Sequence, residues 1–216
     1  LKRVSELWAR FNEVAIQNPN ALIQDAFTAE EIRTPTDTNR RISFPYTKMM
    51  NANMAVDMGA AIILCSVEKA RELRIPEEKW VYPLAGVQGY DHFSASVRDN
   101  FHSSPGLGLV GKRVMELAKV SPEEVDYVDL YSCFPSAVQI AARELGFSEE
   151  RQLTVTGGLT FGGGPLNNYV MHAVARTVEL LRKAPGKKAF VSANGGNLYK
   201  HVHCVYSSQA PEEPYQ

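Results

Sequence analysis

One cysteine of this sequence stands between a predicted strand and a predicted helix, where a reactive group would be well placed. Cys133 follows a strand predicted over residues 125–131 and precedes a helix that begins at Pro135. A helix N-terminus stabilises negative charge, so this position favours a thiolate over a thiol of ordinary pKa, ~8.5. A thiol with a lowered pKa can move protons near neutral pH. The alternative is that Cys133 is a small buried apolar side chain, as free cysteines often are.

Other groups could hold a developing negative charge. The run Gly162-Gly163-Gly164-Pro165 offers backbone N–H groups ahead of a predicted helix, or forms a turn that needs positive φ. The amide of Asn194, followed by Gly195-Gly196, can donate to an oxyanion, or the three residues form a hairpin turn. The hydroxyl of Tyr131 can donate a hydrogen bond, or the ring fills space in a strand.

The histidines and cysteines do not predict a metal centre. His201 and His203 share one face of a predicted strand, but no third ligand is evident. The cysteines, Cys65, Cys133 and Cys204, are odd in number and form no CxxC pair. We therefore predict no metal and no disulfide framework, and a reducing cytoplasm as the compartment.

These groups must be positioned by alternating strands and helices, which predict an α/β fold with a mostly sandwiched sheet. The last two strands have no helix between them, so we expect an antiparallel pair. The predicted helices cover 1–17, a short capped helix from Thr28, 66–74, 109–120, 135–145 and 168–182. The predicted strands cover 59–64 (buried on both faces), 80–87, 125–131, 152–156, 188–193 and 201–207.

Composition excludes some classes of function. The net charge of -1 over 216 residues gives no electrostatic footprint for nucleic acid. No apolar run reaches the length of about 18 residues that suggests a membrane span. The sequence begins Leu1-Lys2-Arg3, without Met and without an apolar signal core, so we expect the chain to be part of a longer protein.

Four segments, in order, resemble motifs of the thiolase superfamily, and the closest likeness is to thiolase-like acetyl-CoA acetyltransferases related to the sterol-carrier-type thiolases. The likeness covers roughly residues 45–208. The first two segments are Asn51-Ala52-Asn53 with 57–61, similar to "NAS…NDGAA", and 129–134, similar to "E-x-NEAF" or "HDCF". The other two are Gly157-Gly158 with Gly163-Gly164-Pro165, similar to "GG…GHP", and 193–196, similar to "CxGG".

The resemblance implies a thiolase-like βαβαβαββ half of a five-layer α-β-α-β-α sandwich with a mixed sheet. It divides the chain into 1–45, the end of the N-terminal half with its loop region, and 46–88, the last strands of that half with the crossover. Residues 89–208 then form the C-terminal half, and 209–216 a flexible tail. The N-terminal half would carry the nucleophilic cysteine, and its absence would leave apolar helix faces exposed on 135–145 and on the helix from Asn168.

The resemblance also assigns roles to single residues. Cys133 matches the acid–base cysteine of "HDCF", and Tyr131 stands at the asparagine of "NEAF", which serves an oxyanion hole. Gly164 replaces the histidine of "GHP", Asn194 lies in the terminal motif, and Ala193 shows that the terminal cysteine is absent. The predicted catalytic residues are Cys133, Tyr131 and Asn194, and the predicted substrate-binding residues are Gly157, Gly158, Gly163, Gly164, Gly195 and Gly196.

The implied function is acyl transfer of the thiolase type, which forms or cleaves a carbon–carbon bond next to a coenzyme A thioester. The alternatives are a retro-aldolase on a CoA thioester and a module that binds acyl-CoA or lipid with little or no turnover. A CoA thioester is expected as substrate, with no further cofactor. Expected partners are the missing N-terminal half or, in its place, a second copy of the chain in a homodimer, and an OB-fold/zinc-ribbon protein of the kind that some relatives use.

Overall fold

A computed structural model describes residues 1–212, so part of the predicted flexible tail, 213–216, lies outside the described residues. The strands are β1 (Arg41–Ser43), β2 (Tyr46–Thr47), β3 (Tyr82–Tyr90), β4 (Tyr127–Asp129), β5 (Lys188–Gly195) and β6 (Lys200–Ser207). The helices are α1 (Lys2–Gln17), α2 (Ala29–Arg33), α3 (Val67–Glu72), α4 (Pro105–Ala118), α5 (Pro135–Leu145), α6 (Gly158–Phe161) and α7 (Tyr169–Lys183).

A four-stranded mixed sheet in the order β3-β6-β5-β4 organises the chain. β6 runs antiparallel to both β3 and β5, whereas β4 runs parallel to β5. The predicted antiparallel pairing of the last two strands is therefore confirmed, and so are the α/β class and the mixed sheet. β3 crosses the predicted boundary at residue 88 and pairs with β6, while the domain limits themselves remain a prediction.

Alternating side chains of the sheet face two different helical layers. Phe190 and Val205 belong to the main apolar core, together with residues of α4 and α5. Val191 and Tyr206, one position further along each strand, belong to a second cluster with residues of α7. The sheet is thus covered on both faces, as the sequence predicts for a fold of this class.

Local sequence signals set several helix ends as predicted. Thr28 and Glu31 form a reciprocal capping box at the start of α2. α5 begins at Pro135, whose missing N–H costs nothing in the first turn, and ends at Leu145, followed by Gly146 with a φ of 74°. α4 begins four residues earlier than predicted, with Pro105 in its first turn. Its glycines serve close packing: a Cβ on Gly111 would lie 2.0 Å from a Leu145 side-chain carbon.

Two predicted strands are wrong. Residues 59–64 form no strand, and Ile63 is 93% exposed, because no strand among the described residues pairs with this segment. Residues 152–156 lie beside β4 with one backbone hydrogen bond, from Leu130 N to Leu153 O. The next amide, that of Val155, donates instead to the side chain of Asp129, and this interrupts the ladder.

The expectation of exposed apolar faces on α5 and α7 is also wrong for this structure. Ala137, Val138 and Ala141 of α5 and Ala173 and Leu181 of α7 are buried within the chain. The strongly exposed apolar side chains lie mainly in irregular segments: Phe44, Met54, Ile63, Leu64, Phe93, Val97 and Phe101. No helix in residues 1–212 is long and apolar enough to cross a membrane.

The buried imidazole of His203 makes the stability of this fold depend on pH. Burial, reinforced by nearby His201, lowers the pKa of His203 to about 4. Between pH ~6.5 and ~4 the unfolded chain therefore binds a proton here that the folded chain does not. We expect acidification through this window to cost about 3 kcal/mol of unfolding free energy. The measurement is urea unfolding at a series of pH values.

The control for this prediction removes the imidazole. His203→Leu should flatten the pH dependence between pH ~6.5 and ~4, whereas His92→Leu, at an exposed position, should leave it unchanged. A wild-type protein that is equally stable at pH 7 and pH 4.5 would contradict the assignment.

Candidate functional site

The predicted site residues cluster where β4 ends and α5 begins. The chain leaves β4 after Asp129, passes through Tyr131 and Cys133, and enters α5 at Pro135. The segment around Ala52 runs alongside: its N–H donates to the carbonyl of Cys133 over 3.2 Å, and the N–H of Asn53 donates to the carbonyl of Leu159 over 3.0 Å. Backbone hydrogen bonds therefore tie three of the resembling motifs together.

Tyr131 and Cys133 face one small apolar cluster. Both are half-buried and pack against the buried side chains of Leu159 and Tyr169. The Tyr131 ring stands edge-on to the Tyr169 ring, with centroids 5.5 Å apart and planes at 89°. Burial, and then the proximity of Cys133, raise the pKa of Tyr131. The structure thus brings two predicted catalytic residues together.

The predicted thiolate at Cys133 is wrong for this structure. Burial raises the pKa of Cys133 to about 11, and the backbone amides of Phe134 and Cys133 oppose the rise only in part. The helix N-terminus is present, but desolvation of the thiolate outweighs its effect. Cys133 is therefore a neutral thiol near pH 7, and so a proton donor rather than a base.

Gly157 and Gly158 form a tight buried turn whose amides already have acceptors. Both have positive φ, 96° and 71°, and a Cβ on Gly157 would lie 2.4 Å from Ala15 Cβ. Their N–H groups donate to the Thr154 hydroxyl over 3.1 and 3.0 Å. Their predicted contact with a substrate stays a prediction.

The second glycine pair is closely packed. Gly163 has a φ of 102°, and a Cβ there would lie 2.3 Å from Met58 Sδ. Gly164 donates its N–H to the carbonyl of Asn53 over 2.9 Å, and a Cβ on it would lie 3.2 Å from the carbonyl oxygens of Asn53 and Leu159. A side chain at position 164 would therefore require its neighbours to shift by a few tenths of an ångström.

Asn194, Gly195 and Gly196 form the end of β5 and the start of the turn to β6. Because β4 and β5 are parallel, with Asp129 opposite Val191, Asn194 lies at the same edge of the sheet as the segment through Tyr131. Arg98 donates to the carbonyls of Asn197 and Leu198, over 2.7 Å each, and so fixes the turn. The catalytic role of Asn194 stays a prediction.

The most connected side chain near the site is that of Asp129, which begins the 129–134 segment but received no predicted role. Asp129 is 1% exposed, and its carboxylate accepts hydrogen bonds from the hydroxyls of Thr154, Thr156 and Tyr169 and from the amide of Val155. Burial raises the pKa of Asp129, and these donors oppose the rise. The pattern Thr-x-Thr-Gly-Gly, downstream of an Asp at a strand end, is the signal that was available.

A second polar cluster anchors the loop before α4. The Ser104 hydroxyl donates to Asp91 Oδ2 over 2.5 Å, and His201 Nε2 lies 3.1 Å from the same oxygen. The Asp91 Oδ1 atom accepts the amide of Gly106 over 2.9 Å. His201 is therefore engaged in this network, and among residues 1–212 no group of side chains has the arrangement of a metal site.

An open cavity of about 440 Å³ adjoins the glycine segment. Gly162, Gly163 and Tyr169 form one wall, residues 57–61 form another, and His172 and Arg176 of α7 face it. Cys133 does not line this cavity.

No family model matches the chain. An acetyl-CoA acetyltransferase of Methanothermobacter thermautotrophicus is 24% identical over 202 residues, 86% of this chain and 51% of the relative. A 17-hydroxy-3-oxo-4-pregnene-20-carboxyl-CoA lyase of Mycobacterium tuberculosis is 26% identical over 163 residues, 72% of this chain and 40% of the relative. The chain thus spans about half the length, or less, of these curated relatives.

Solved structures give a closer likeness. A monomeric SCP2-thiolase-like protein from Mycobacterium smegmatis superimposes with a TM-score of 0.86 at 33% identity, over 98% of this chain and 47% of that one. The Ltp2-ChsH2(DUF35) aldolase superimposes with a TM-score of 0.72 at 19% identity, over 96% of this chain and 59% of that one.

The cysteines should differ in reactivity. Their predicted positions imply that Cys133 reacts faster than Cys65, and the structure reverses this order. Cys65 was expected at the end of a buried strand, but it is exposed, so iodoacetamide should label it first. At pH 8 a thiol of pKa about 11 is ionised in only about one molecule in a thousand, so Cys133 should react at least about tenfold more slowly. Mass spectrometry of the labelled peptides measures both rates.

Cys204 is the matched control, since it is half-buried and burial raises its pKa too. It should also label more slowly than Cys65, and all three cysteines should label alike in concentrated urea. Labelling of Cys133 as fast as that of Cys65 in the folded protein would show a stabilised thiolate and contradict this account.

Proposed function

This chain belongs to the thiolase superfamily, and from that premise we propose that it binds an acyl-CoA thioester and makes or breaks the carbon–carbon bond next to it. Acyl transfer of the thiolase type is the activity that we propose first, in keeping with the acetyltransferase relatives. The observation that carries the proposal is the juxtaposition of Tyr131 and Cys133 at the carboxyl edge of the sheet.

Both residues are held at fixed positions, as a catalytic pair requires. The amide of Tyr131 donates to the Ser192 hydroxyl over 2.9 Å, so β5 holds the backbone of the residue. The ring of Tyr131 rests against Tyr169, which is 1% exposed. The carbonyl of Cys133 accepts the amide of Ala52, which leaves the thiol to face the apolar cluster.

A neutral thiol and a neutral phenol suit one step of such a reaction. When the bond between the α- and β-carbons breaks, its electron pair passes to the thioester enolate. Cys133 can then deliver its proton to the α-carbon, while the Tyr131 hydroxyl donates a hydrogen bond to the enolate oxygen. In the synthetic direction the same thiol has to be ionised before it can remove a proton from the α-carbon.

A retro-aldol reaction on a β-hydroxyacyl-CoA is the second candidate, and two departures from the thiolase motifs favour it. Gly164 stands in place of the histidine of "GHP", and Ala193 stands where the terminal cysteine would be. Retro-aldol cleavage needs neither an acyl-cysteine nor these groups. The name of the mycobacterial relative, a lyase acting on a CoA thioester, is in keeping with this candidate.

We propose partners and a compartment on the same basis. The expected N-terminal half of the same polypeptide remains a proposal, with a homodimer as the alternative. A separate OB-fold/zinc-ribbon protein is a further candidate, since the Ltp2-ChsH2(DUF35) aldolase is an assembly of two proteins. Three free cysteines are in keeping with a reducing cytoplasm.

The test separates binding from turnover. Calorimetry should show acetyl-CoA binding at submillimolar ligand, and acetoacetyl-CoA thiolysis should be weak, since each missing catalytic group typically costs a factor of about 10² or more. Tyr131→Phe should lower the rate of carbon–carbon cleavage about 10²-fold and change the affinity for acetyl-CoA less than about threefold.

Tyr127→Phe, at a half-buried tyrosine in β4, is the matched control and should leave the rate unchanged. Thiolysis at the rates of ordinary thiolases would contradict the prediction that the missing catalytic groups weaken this activity. Binding without cleavage of either a β-ketoacyl-CoA or a β-hydroxyacyl-CoA would favour a non-catalytic module. The absence of binding at millimolar acetyl-CoA would overturn the proposal.

A further inference from the structure

We propose that Asp129 is a positioning residue, which holds the Gly157–Gly158 turn and the Tyr131 ring in the geometry that binds a thioester. The inference rests on the proposed function, because it concerns the acyl end of the same site. It assigns a task to a buried side chain whose hydrogen bonds go to Thr154, Val155, Thr156 and Tyr169 rather than to Cys133 or Tyr131.

The first route from Asp129 runs through threonine hydroxyls. The Thr154 hydroxyl donates to Asp129 Oδ2 over 2.9 Å, so the lone pairs of the hydroxyl oxygen are free to face the residues that follow Thr154. It then accepts the amides of Thr156, Gly157 and Gly158 over 3.2, 3.1 and 3.0 Å. Three successive N–H groups are thus collected on one oxygen, which fixes a turn of two positive-φ glycines.

The glycine turn also positions Leu159, one of the buried residues of the apolar cluster. Leu159, the residue after it, donates its amide to the Ser132 hydroxyl over 3.0 Å. Ser132 is fully buried between Tyr131 and Cys133, so this bond joins the turn to the segment that carries both predicted catalytic residues. Displacement of Gly158 would therefore move Leu159 and release Ser132.

The second route runs through Tyr169. Its hydroxyl donates to Asp129 Oδ1 over 2.8 Å and lies 2.8 Å from the Thr156 hydroxyl. The ring of Tyr169 is then the surface on which the edge-on Tyr131 ring rests. The carboxylate of Asp129 therefore fixes the backbone of the glycine turn on one side of the cluster and the ring of Tyr169 on the other.

The burial of Asp129 and the donors around it distinguish this hub from ordinary packing. A buried carboxylate is retained only where donors surround it, and here four donors converge on its two oxygens. The substitution Asp129→Asn would keep the shape of the side chain but bring an NH₂ group against hydroxyl and amide donors. The turn and the Tyr169 hydroxyl cannot then both keep their present bonds.

The experiment compares Asp129→Asn with Asp126→Asn, a matched acid before the same strand whose bonds go to Lys187 and Lys188. Hydrogen exchange of a peptide covering 154–161, read by mass spectrometry, should be at least about tenfold faster in Asp129→Asn and unchanged in Asp126→Asn. The ratio of acetyl-CoA affinity to free CoA affinity should fall at least about fivefold in Asp129→Asn alone, because only the acyl end is disturbed.

Two substitutions of Thr154 keep the test decisive if Asp129→Asn does not fold. Thr154→Val removes the hydroxyl and should reproduce both effects, whereas Thr154→Ser retains it and should stay within about twofold of wild type. Tyr169→Phe, which removes one of four donors, should give an intermediate loss.

The outcomes separate this inference from the proposed function. If the wild-type protein binds acetyl-CoA and neither Asp129→Asn nor Thr154→Val lowers the affinity ratio, the positioning role alone is overturned. Faster exchange without a change in the ratio also overturns it, since Asp129 would then be purely structural. A wild-type protein that does not bind acetyl-CoA overturns the proposed function, and the inference with it.

Discussion

The burial of one carboxylate is the constraint on which the site depends. Desolvation of Asp129 has to be offset by hydrogen bonds, and the chain meets this demand by bending Thr154, Val155 and Thr156 around it. That bend ends the strand-like course of 152–156 and starts the glycine turn. The irregular backbone of the site is thus the consequence of an electrostatic requirement rather than of weak strand propensity.

Most of the fold follows from local sequence patterns. The limits of α5, the capping box of α2 and the antiparallel β5–β6 pair depend on residues close in the chain, so their signals are visible in the sequence. The two strand predictions failed because a strand needs a partner. Residues 59–64 have none among residues 1–212, and 152–156 lose theirs to the carboxylate of Asp129.

The sequence predicted which residues form the candidate site, but not the charge state of Cys133. The order of the motifs indicated Tyr131 and Cys133 as candidate site residues, and the structure places them in one cluster. The charge state of Cys133 depends on its burial against a cluster whose members, such as Leu159 and Tyr169, lie about 26 and 36 residues further along the chain, and no local pattern records it. Asp129 was passed over for the same reason, because its donors come from segments distant in sequence.

The contact between Gly157 and Ala15 sets an order of events for a chain that is synthesised from its N-terminus. α1 emerges well before its partners in the site, which lie 138 to 152 residues further along: the Trp8 indole donates to Thr160, and the Asn18 side-chain amide donates to the carbonyl of Thr156. Contacts between residues so far apart form late in folding. The glycine turn therefore cannot reach its final shape until the segment through Thr160 has left the ribosome, so α1 has to wait for its partners while the residues between them are synthesised.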